Sequence, residues 1–455
     1  MSKLFSLAIR SLRPRGLCFR VHAPVLRKMR MPLLHHNQPR RAFTLTALTS
    51  TDTDYDDANN RFLYEPLEEV ERFENYRPGG YHPIQIGDHF HRRYRVVHKL
   101  GHGSYPTTWL ACDKQSNKYV ALKVYMVNSN PKEVDIISTL TRPHYSPVHH
   151  PGKTMVPSIL DRFTIHGPNG NHACYVTATA RVSLSGAKDA RSLAAQLVLA
   201  VDYVHAKGIV HGDIHLGNIL LKVPPNFDLL SLDKLYEKYG APELEPVVCL
   251  DGNPDSKLPP RVPSHAITPI WLGEASEKIT LAEARIFLID FGEAFSSSKE
   301  ARFEPKKPLS FSSDIWTLAC TIWSIIAQRP LFEGFLATDD DMTCELVVTL
   351  GVLPPEWWKR WKARQNKFTE DGKPINRAYD YFRSWNDRFE DSVEKPRRDK
   401  GIPSFDAKER DAIFDMLQPM LSFRPEDRPT TKQILQSEWM VKWALPEYGK
   451  IQNNI

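Results

Sequence analysis

The sequence predicts an α+β fold of two lobes: a small antiparallel β lobe with one main helix, then a larger and mostly helical lobe. Three observations predict it. From Tyr94 the chain runs through YRVVHKLGHG, TTWLACD and KYVALKVYMV, β-branched and aromatic stretches broken by Gly, Asn and Asp as antiparallel strands are. NPKEVDIISTL (130–140) then sets Val134, Ile137 and the pair Ile136/Leu140 at helical spacing. Beyond Thr179 the pattern turns helical: DARSLAAQLVLAVDYVHAKG carries apolar residues at 193, 197, 200, 201 and 204, with Gly208 as a stop.

The remaining segments arrange themselves around this frame. Residues 1–51 are an Arg-rich N-terminal segment and 52–85 an acidic, then turn-rich leader expected to wrap onto the domain. The small lobe is expected at 86–181 and the large lobe at 182–443. A Pro-rich and acidic stretch at 222–280 reads as an insertion, and 356–403, charged with aromatic anchors, reads as a helical elaboration. Residues 444–455 are expected as a C-terminal tail.

Composition bounds the function. Of the 60 Lys and Arg, ten fall in residues 1–51, which hold no acid; the other 50 face 54 Asp and Glu, so the body of the chain carries −4. A mildly acidic body is poorly suited to duplex nucleic acid, whose binding runs on phosphate neutralisation. The six Cys show no CxxC and no paired spacing, which argues against a zinc or disulfide framework and for a reducing compartment. No run of 18 apolar residues exists, so no spanning helix is expected. The first segment has the composition of a mitochondrial transit peptide, and equally that of a basic tail.

Four pieces of the chain carry phosphate chemistry. Gly101-His-Gly103 follows a strand, and two glycines allow a tight hairpin whose N–H groups approach phosphate oxygens; alone, such a pair is also an ordinary turn. Lys123 lies inside the apolar strand VALKV, where an ammonium is costly unless paired. Glu133 on the next helix is the natural partner, although a snorkelling surface lysine reads the same way. In HGDIHLGNILL, Asp213 and Asn218 are placed to put a carboxylate near an attacking hydroxyl and an amide oxygen on magnesium, while both are also turn formers. In FLIDFGEAF, Asp290 ends an apolar strand and is placed to hold magnesium against β- and γ-phosphate oxygens. The order Gly loop, Lys, Glu, Asp…Asn, Asp is that of the protein kinases.

From Gly79 to Trp443 the chain resembles a eukaryotic-type protein kinase and, within that superfamily, the SR-protein kinases in their fungal branch. The residues that carry this are GGYHPIQIGDHFHRRYRVVHKLGHGSYPTTWLA, GPNGNHACYV, SDIWTLACTIWSIIAQRPLFEG, and YEKYGAPELEPV with WLGEASEKIT. The resemblance implies the bilobal protein-kinase-like fold and a non-specific serine/threonine protein kinase using ATP and Mg2+. It implies Arg/Ser-rich protein substrates, a part in regulating mRNA splicing, a monomer, and a place in cytoplasm and nucleus, with the mitochondrion as the alternative that residues 1–51 raise. By position it implies that Gly101 and Gly103 cover the nucleotide, that Lys123 contacts its phosphates and that Glu133 orients Lys123. Asp213 is then the base, and Asn218 and Asp290 the magnesium ligands. Thr177 falls at the gatekeeper position with Ala178–Ala180 as hinge; Ile137, His211 and Phe291 stack between the lobes; Asp314 anchors the catalytic loop; Arg428 pairs with Glu300.

Departures from the family pattern set the alternatives. Pro106 stands where a residue with an N–H is expected. Gly212 replaces the arginine of HRD, so activity should not depend on a phosphorylated loop. His215 stands where most such enzymes carry a lysine and is expected as a weaker phosphate contact, or as a turn residue. Only ten positions separate Asp290 from Glu300, so most of the usual peptide platform is missing; either it was deleted or coding sequence is absent across it. A nucleotide-binding pseudokinase or scaffold is therefore one alternative. A small-molecule kinase, whose loop is also written HGDxHxxN, is another.

Overall fold

The computed structural model describes residues 63–129, 132–142, 150–181, 189–250, 258–273, 279–296, 310–333, 338–375 and 383–453. The Arg-rich residues 1–51 and the stretch 297–309 with Glu300 lie outside these.

The small lobe is one antiparallel sheet. Its strands are β1 (His89–Phe90), β2 (Tyr94–His102), β3 (Pro106–Asp113), β4 (Lys118–Tyr125), β5 (Asp161–Gly167) and β6 (Gly170–Ala178), in the order β1-β2-β3-β4-β6-β5. The helix α1 (Lys132–Thr141) follows β4. Successive strand residues point to opposite faces. Val120, Leu122 and Val124 therefore join Trp109, Ala111 and Ile84 in one apolar cluster, and Lys123 between them points to the other face. On α1, Ile137 and Leu140 are buried with Tyr125 and Tyr175, in the same core that fills the large lobe.

The large lobe is built round α2 (Ala190–Ala206), buried almost all round from Ala190 to Val204. A short strand β7 (Ala180–Arg181) leads into it, and β8 (Ile209–Val210) and β9 (Ile219–Lys222) follow it. In the insertion lie α3 (Leu232–Tyr239), β10 (Leu244–Pro246) and β11 (His265–Ile267); after it come β12 (Ile286–Leu288) and β13 (Phe295–Ser296). β9 is flanked by β12 and β7, while β13 pairs with β8. The remaining helices are α4 (Phe311–Ile326), α5 (Asp339–Leu350), α6 (Pro355–Arg360), α7 (Trp385–Phe389), α8 (Lys395–Asp399), α9 (Ala407–Met420), α10 (Thr431–Leu435) and α11 (Leu445–Asn453). α4 opens on Ser310, whose hydroxyl accepts the Ser312 N–H, and its apolar stripe packs on α2. The aromatic anchors of 356–403 act as expected: Trp358, Trp361 and Phe368 pack mutually at 5.8–6.1 Å and close a satellite core. The segment from 444, expected as a tail, is instead helix α11. Leu445, Tyr448 and Ile451 recur every three residues and seat it against α2.

The insertion does more than the sequence suggests. Its first residue beyond β9 is Val223, and from there the chain climbs onto the small lobe and straddles strand β2. On one face Phe227, Leu235, Ile270 and Leu272 pack against Val97, Leu110 and Tyr119. On the other, Val247, Val262 and Ala266 pack against Tyr64, Phe73, Tyr76 and Tyr81 of the leader. The Ile270 N–H donates to Lys99 O at 2.8 Å and the Tyr236 hydroxyl to Val97 O at 2.7 Å, so carbonyls of β2 are answered by the insertion. The leader also brings Glu71 to Lys99. Both are buried, and Glu71 accepts a further hydrogen bond from the Tyr76 hydroxyl. Burial would push the Glu71 carboxyl up, but the Lys99 ammonium holds it below the ordinary range.

Candidate active site

Lys123 and Glu133 meet as the sequence predicts. Lys123 Nζ lies 2.7 Å from Glu133 Oε2 and 3.5 Å from Asp290 Oδ1. Burial would lower the Lys123 pKa, yet Glu133 first and Asp290 second hold it above the ordinary lysine value, so the ammonium stays charged. Glu133 is itself 2% exposed. Its Oε2 also accepts the Tyr125 hydroxyl and its Oε1 accepts the Phe291 N–H at 3.2 Å, so one carboxylate ties the small-lobe lysine to the backbone that carries Asp290. Sequence reasoning did not single out Tyr125; its signal was present, since a tyrosine two residues from a strand lysine shares that lysine's face.

Asp290 adopts the left-handed region at φ +61°, strained for a residue with a Cβ, and its side chain stands about half exposed over the cleft floor. The catalytic loop sits beside it. Asn218 is the last residue of a 3-10 turn, Leu216–Asn218, and is buried. Its Nδ2 donates to Asp213 O at 2.9 Å and lies 3.4 Å from Asp213 Oδ2, while its own backbone carbonyl accepts the Ile289 N–H at 2.9 Å. The spacing of five between Asp213 and Asn218 therefore closes one compact loop against the strand that ends in Asp290. With Nδ2 committed to Asp213, the amide oxygen of Asn218 is the group left to accept a cation. A neutral amide oxygen and an exposed carboxylate are hard oxygen donors of the kind magnesium takes.

His211, Phe291 and Ile137 come together at the lobe junction. The rings of His211 and Phe291 are 4.7 Å apart; Phe291 belongs with Ile137 to the large core, and His211 is buried beside it. Burial keeps His211 below the ordinary histidine pKa, hence neutral. Its Nε2 faces Ile289 O at 3.0 Å and its Nδ1 accepts the Asp213 N–H at 3.3 Å, so a neutral ring protonated on Nε2 fits both contacts. Asp314 on α4 accepts the His211 N–H at 2.7 Å and the Gly212 N–H at 2.9 Å, and His205 Nε2 lies 2.9 Å away. His215 is a turn residue. Its Nδ1 accepts the Gly217 N–H at 3.0 Å, which caps the turn, and its Nε2 faces Asp213 Oδ2 at 3.5 Å.

At the hinge, Ala178 ends β6 and Ala180 opens β7, which pairs with Lys222 of β9, so the crossing from small to large lobe is a continuous extended segment. Thr177 lies opposite Ala121 on β4, two residues from Lys123. Gly101 pairs with Thr108 in the hairpin β2–β3. The Gly103 N–H donates to Pro106 O at 2.8 Å; it closes the hairpin instead of standing free for phosphate as the sequence suggests. Arg428 donates to the carbonyls of Ser312, Ser422 and Phe423. Its expected partner Glu300 lies outside the described residues.

Comparison with known proteins follows the same line. The protein kinase domain pattern matches residues 94–230. A serine/threonine protein kinase of Aspergillus fumigatus is 25% identical over 420 residues, covering 82% of this chain and 91% of that protein. The serine/threonine-protein kinase SRPK of Physarum polycephalum is 26% identical, again over 82% of this chain and 91% of that protein. Human SRSF protein kinase 3 is 37% identical over 170 residues, 34% of this chain and 30% of that protein. Neither the scaffold nor the small-molecule alternative is favoured by these relatives. The chain thus carries a protein kinase domain, and it is a serine/threonine kinase that resembles the SR-protein kinases.

Proposed function

We propose that the enzyme transfers the γ-phosphoryl group of Mg-ATP to serine hydroxyls of Arg/Ser-rich proteins, acting as a monomer in cytoplasm and nucleus, with regulation of mRNA splicing as the consequence. The observation that supports this best is the convergence of Lys123, Glu133 and Asp290 within one set of contacts, with Asp213 and Asn218 on the adjoining loop.

Each residue takes a role from its surroundings. Lys123, kept charged by Glu133, holds nucleotide phosphates. The backbone of Ala178–Ala180 lines the base, and the hairpin of Gly101 and Gly103 covers the phosphates. A divalent ion on Asn218 and Asp290 supplies charge neutralisation of the phosphates. Asp213 faces the substrate hydroxyl. As the serine Oγ bonds to the γ-phosphorus, the bond from that phosphorus to the bridging oxygen breaks, ADP departs with the electron pair, and the hydroxyl proton passes to the Asp213 carboxylate. His215, beside that carboxylate, offers an N–H where the lysine of other members stands. Catalysis here is positioning and charge stabilisation rather than covalent chemistry.

The test is transfer of labelled phosphate from ATP to an Arg/Ser-repeat peptide. Wild type should label serine, and Asp213→Asn should lose about 10²–10⁴-fold in kcat, the usual share of a general base. Transfer to choline or an aminoglycoside but to no peptide would contradict the substrate class.

A further inference from the structure

Tyr81 belongs to the leader, outside every motif on which the nucleotide site is built, yet its side chain reaches the phosphate-covering hairpin. Its hydroxyl donates to Gly103 O at 2.9 Å and lies 3.3 Å from Ser104 O, two successive carbonyls at the hairpin tip. A trans peptide is planar, with its C=O and N–H pointing in opposite directions. Holding these two carbonyls toward the leader therefore turns the Ser104 and Tyr105 N–H groups away from it. The side away from the leader is the Lys123 side, because Leu122 and Val124, which flank Lys123, belong to the cluster under leader residue Ile84.

Those two N–H groups matter because the tip has few donors to give. Pro106 has none. The Gly103 N–H is spent on Pro106 O. The Ser104 and Tyr105 N–H groups make no hydrogen bond among the described residues, which leaves them as the tip's donors for a phosphate oxygen.

Tyr81 is fixed firmly enough to impose this orientation. It is 3% exposed. Its own N–H donates to Asn75 O at 2.9 Å, and its carbonyl accepts Asn169 Nδ2 at 2.7 Å. The same Asn169 amide donates to Arg261 O of the insertion at 2.9 Å. The ring packs on Tyr76 at 5.6 Å, and the Tyr76 hydroxyl donates to Glu71 of the buried Glu71–Lys99 pair. Burial, and then the Glu71 charge, push the Tyr81 phenol above its ordinary value, so it remains a donor at any working pH.

We infer that Tyr81 is a positioning residue for the nucleotide: from the leader it holds the hairpin tip so that the Ser104 and Tyr105 N–H groups face the triphosphate. The inference rests on the ATP site proposed above, and it makes the leader a part of that site.

Tyr81→Phe keeps the ring and removes only the hydroxyl. Two readouts decide the matter. In the first, KM for ATP with an Arg/Ser-repeat peptide, and Mg-ADP affinity by calorimetry, should weaken about 3- to 10-fold, as befits one buried hydrogen bond, with kcat within about 2-fold and the melting temperature nearly unchanged. In the second, amide hydrogen exchange across residues 101–106 of the nucleotide-free protein should quicken in the variant and nowhere else in the sheet. Unchanged KM and unchanged exchange would overturn the inference, as would a fall in kcat and melting temperature with KM unmoved, which marks a merely structural tyrosine. A wild type that binds no Mg-ADP overturns the ATP site itself, and the exchange experiment still decides whether Tyr81 holds the hairpin.

Discussion

Asp314 Oδ1 accepts the Gly212 N–H at 2.9 Å, and Gly212 adopts φ +81° to present it. A Cβ at this position would meet Glu293 O at 2.8 Å. The glycine that replaces the usual arginine is thus suited to the backbone that aims Asp213. Gly212→Ala should cost about 1–2 kcal/mol in stability, the penalty of a left-handed residue with a side chain. Displacing the neighbouring base should also lower kcat by about 10-fold or more. Urea unfolding and steady-state rates check both; an alanine variant with wild-type stability and rate would contradict this account of the loop.

The insertion's grip on the small lobe gives a second prediction. Leu235 is fully buried between α3 and the sheet, beside Phe227 and Tyr119. Leu235→Ala should destabilise by about 2–5 kcal/mol, transfer and cavity terms together. The loss should appear as faster hydrogen exchange in β2 and β3, while α2 and α4 remain protected. Uniform exchange throughout the chain would show that the insertion does not brace the small lobe selectively.

Acid should weaken the small lobe through buried histidines. His82 lies against His172 with ring centroids 4.9 Å apart, and burial first, then the second histidine, pushes it down to about 4. Burial lowers His172 as well. A base whose folded pKa lies below its unfolded value near 6.5 favours the fold fully above that value, and the contribution is lost as pH falls toward 4. Between pH 7 and 5 the wild type should lose about 1–2 kcal/mol more than His82→Asn. Urea midpoints at the two pH values measure this; equal losses in both proteins would remove His82 from the account.

Sequence pattern disclosed the centre of the molecule better than its periphery, and Lys123 and Lys99 show why. Each is a lysine inside an apolar strand, and each is paired with a glutamate. Glu133 stands ten residues from Lys123 on the next helix, within reach of local reasoning. Glu71 stands 28 residues before Lys99 in a leader whose fold depends on the insertion, so nothing local indicates the pairing. Tyr81 lay within the quoted GGYHP stretch, but its role appears only once the leader is seen against the hairpin. The C-terminal helix was missed because α11 carries a narrow apolar stripe in a polar sequence, and only its partner α2 makes that stripe a core face. Asp213, Asn218 and Asp290 stand where loop spacing and a strand end place them with little help from distant chain, whereas Asp314 on α4 reaches the loop from 103 residues away and was indicated only by the family resemblance.

The central claim is that Asn218 and Asp290 place a divalent ion against a nucleotide that Lys123 already holds. Nucleotide affinity measured by calorimetry with Mg2+ and with EDTA, on wild type and on Asp290→Asn, tests it most directly. The account predicts that magnesium tightens ATP binding to wild type by 10-fold or more, about 1.4 kcal/mol, and that Asp290→Asn binds weakly and almost equally with and without the metal. Equal affinity of wild type in Mg2+ and EDTA, or an undiminished magnesium effect in Asp290→Asn, would contradict it.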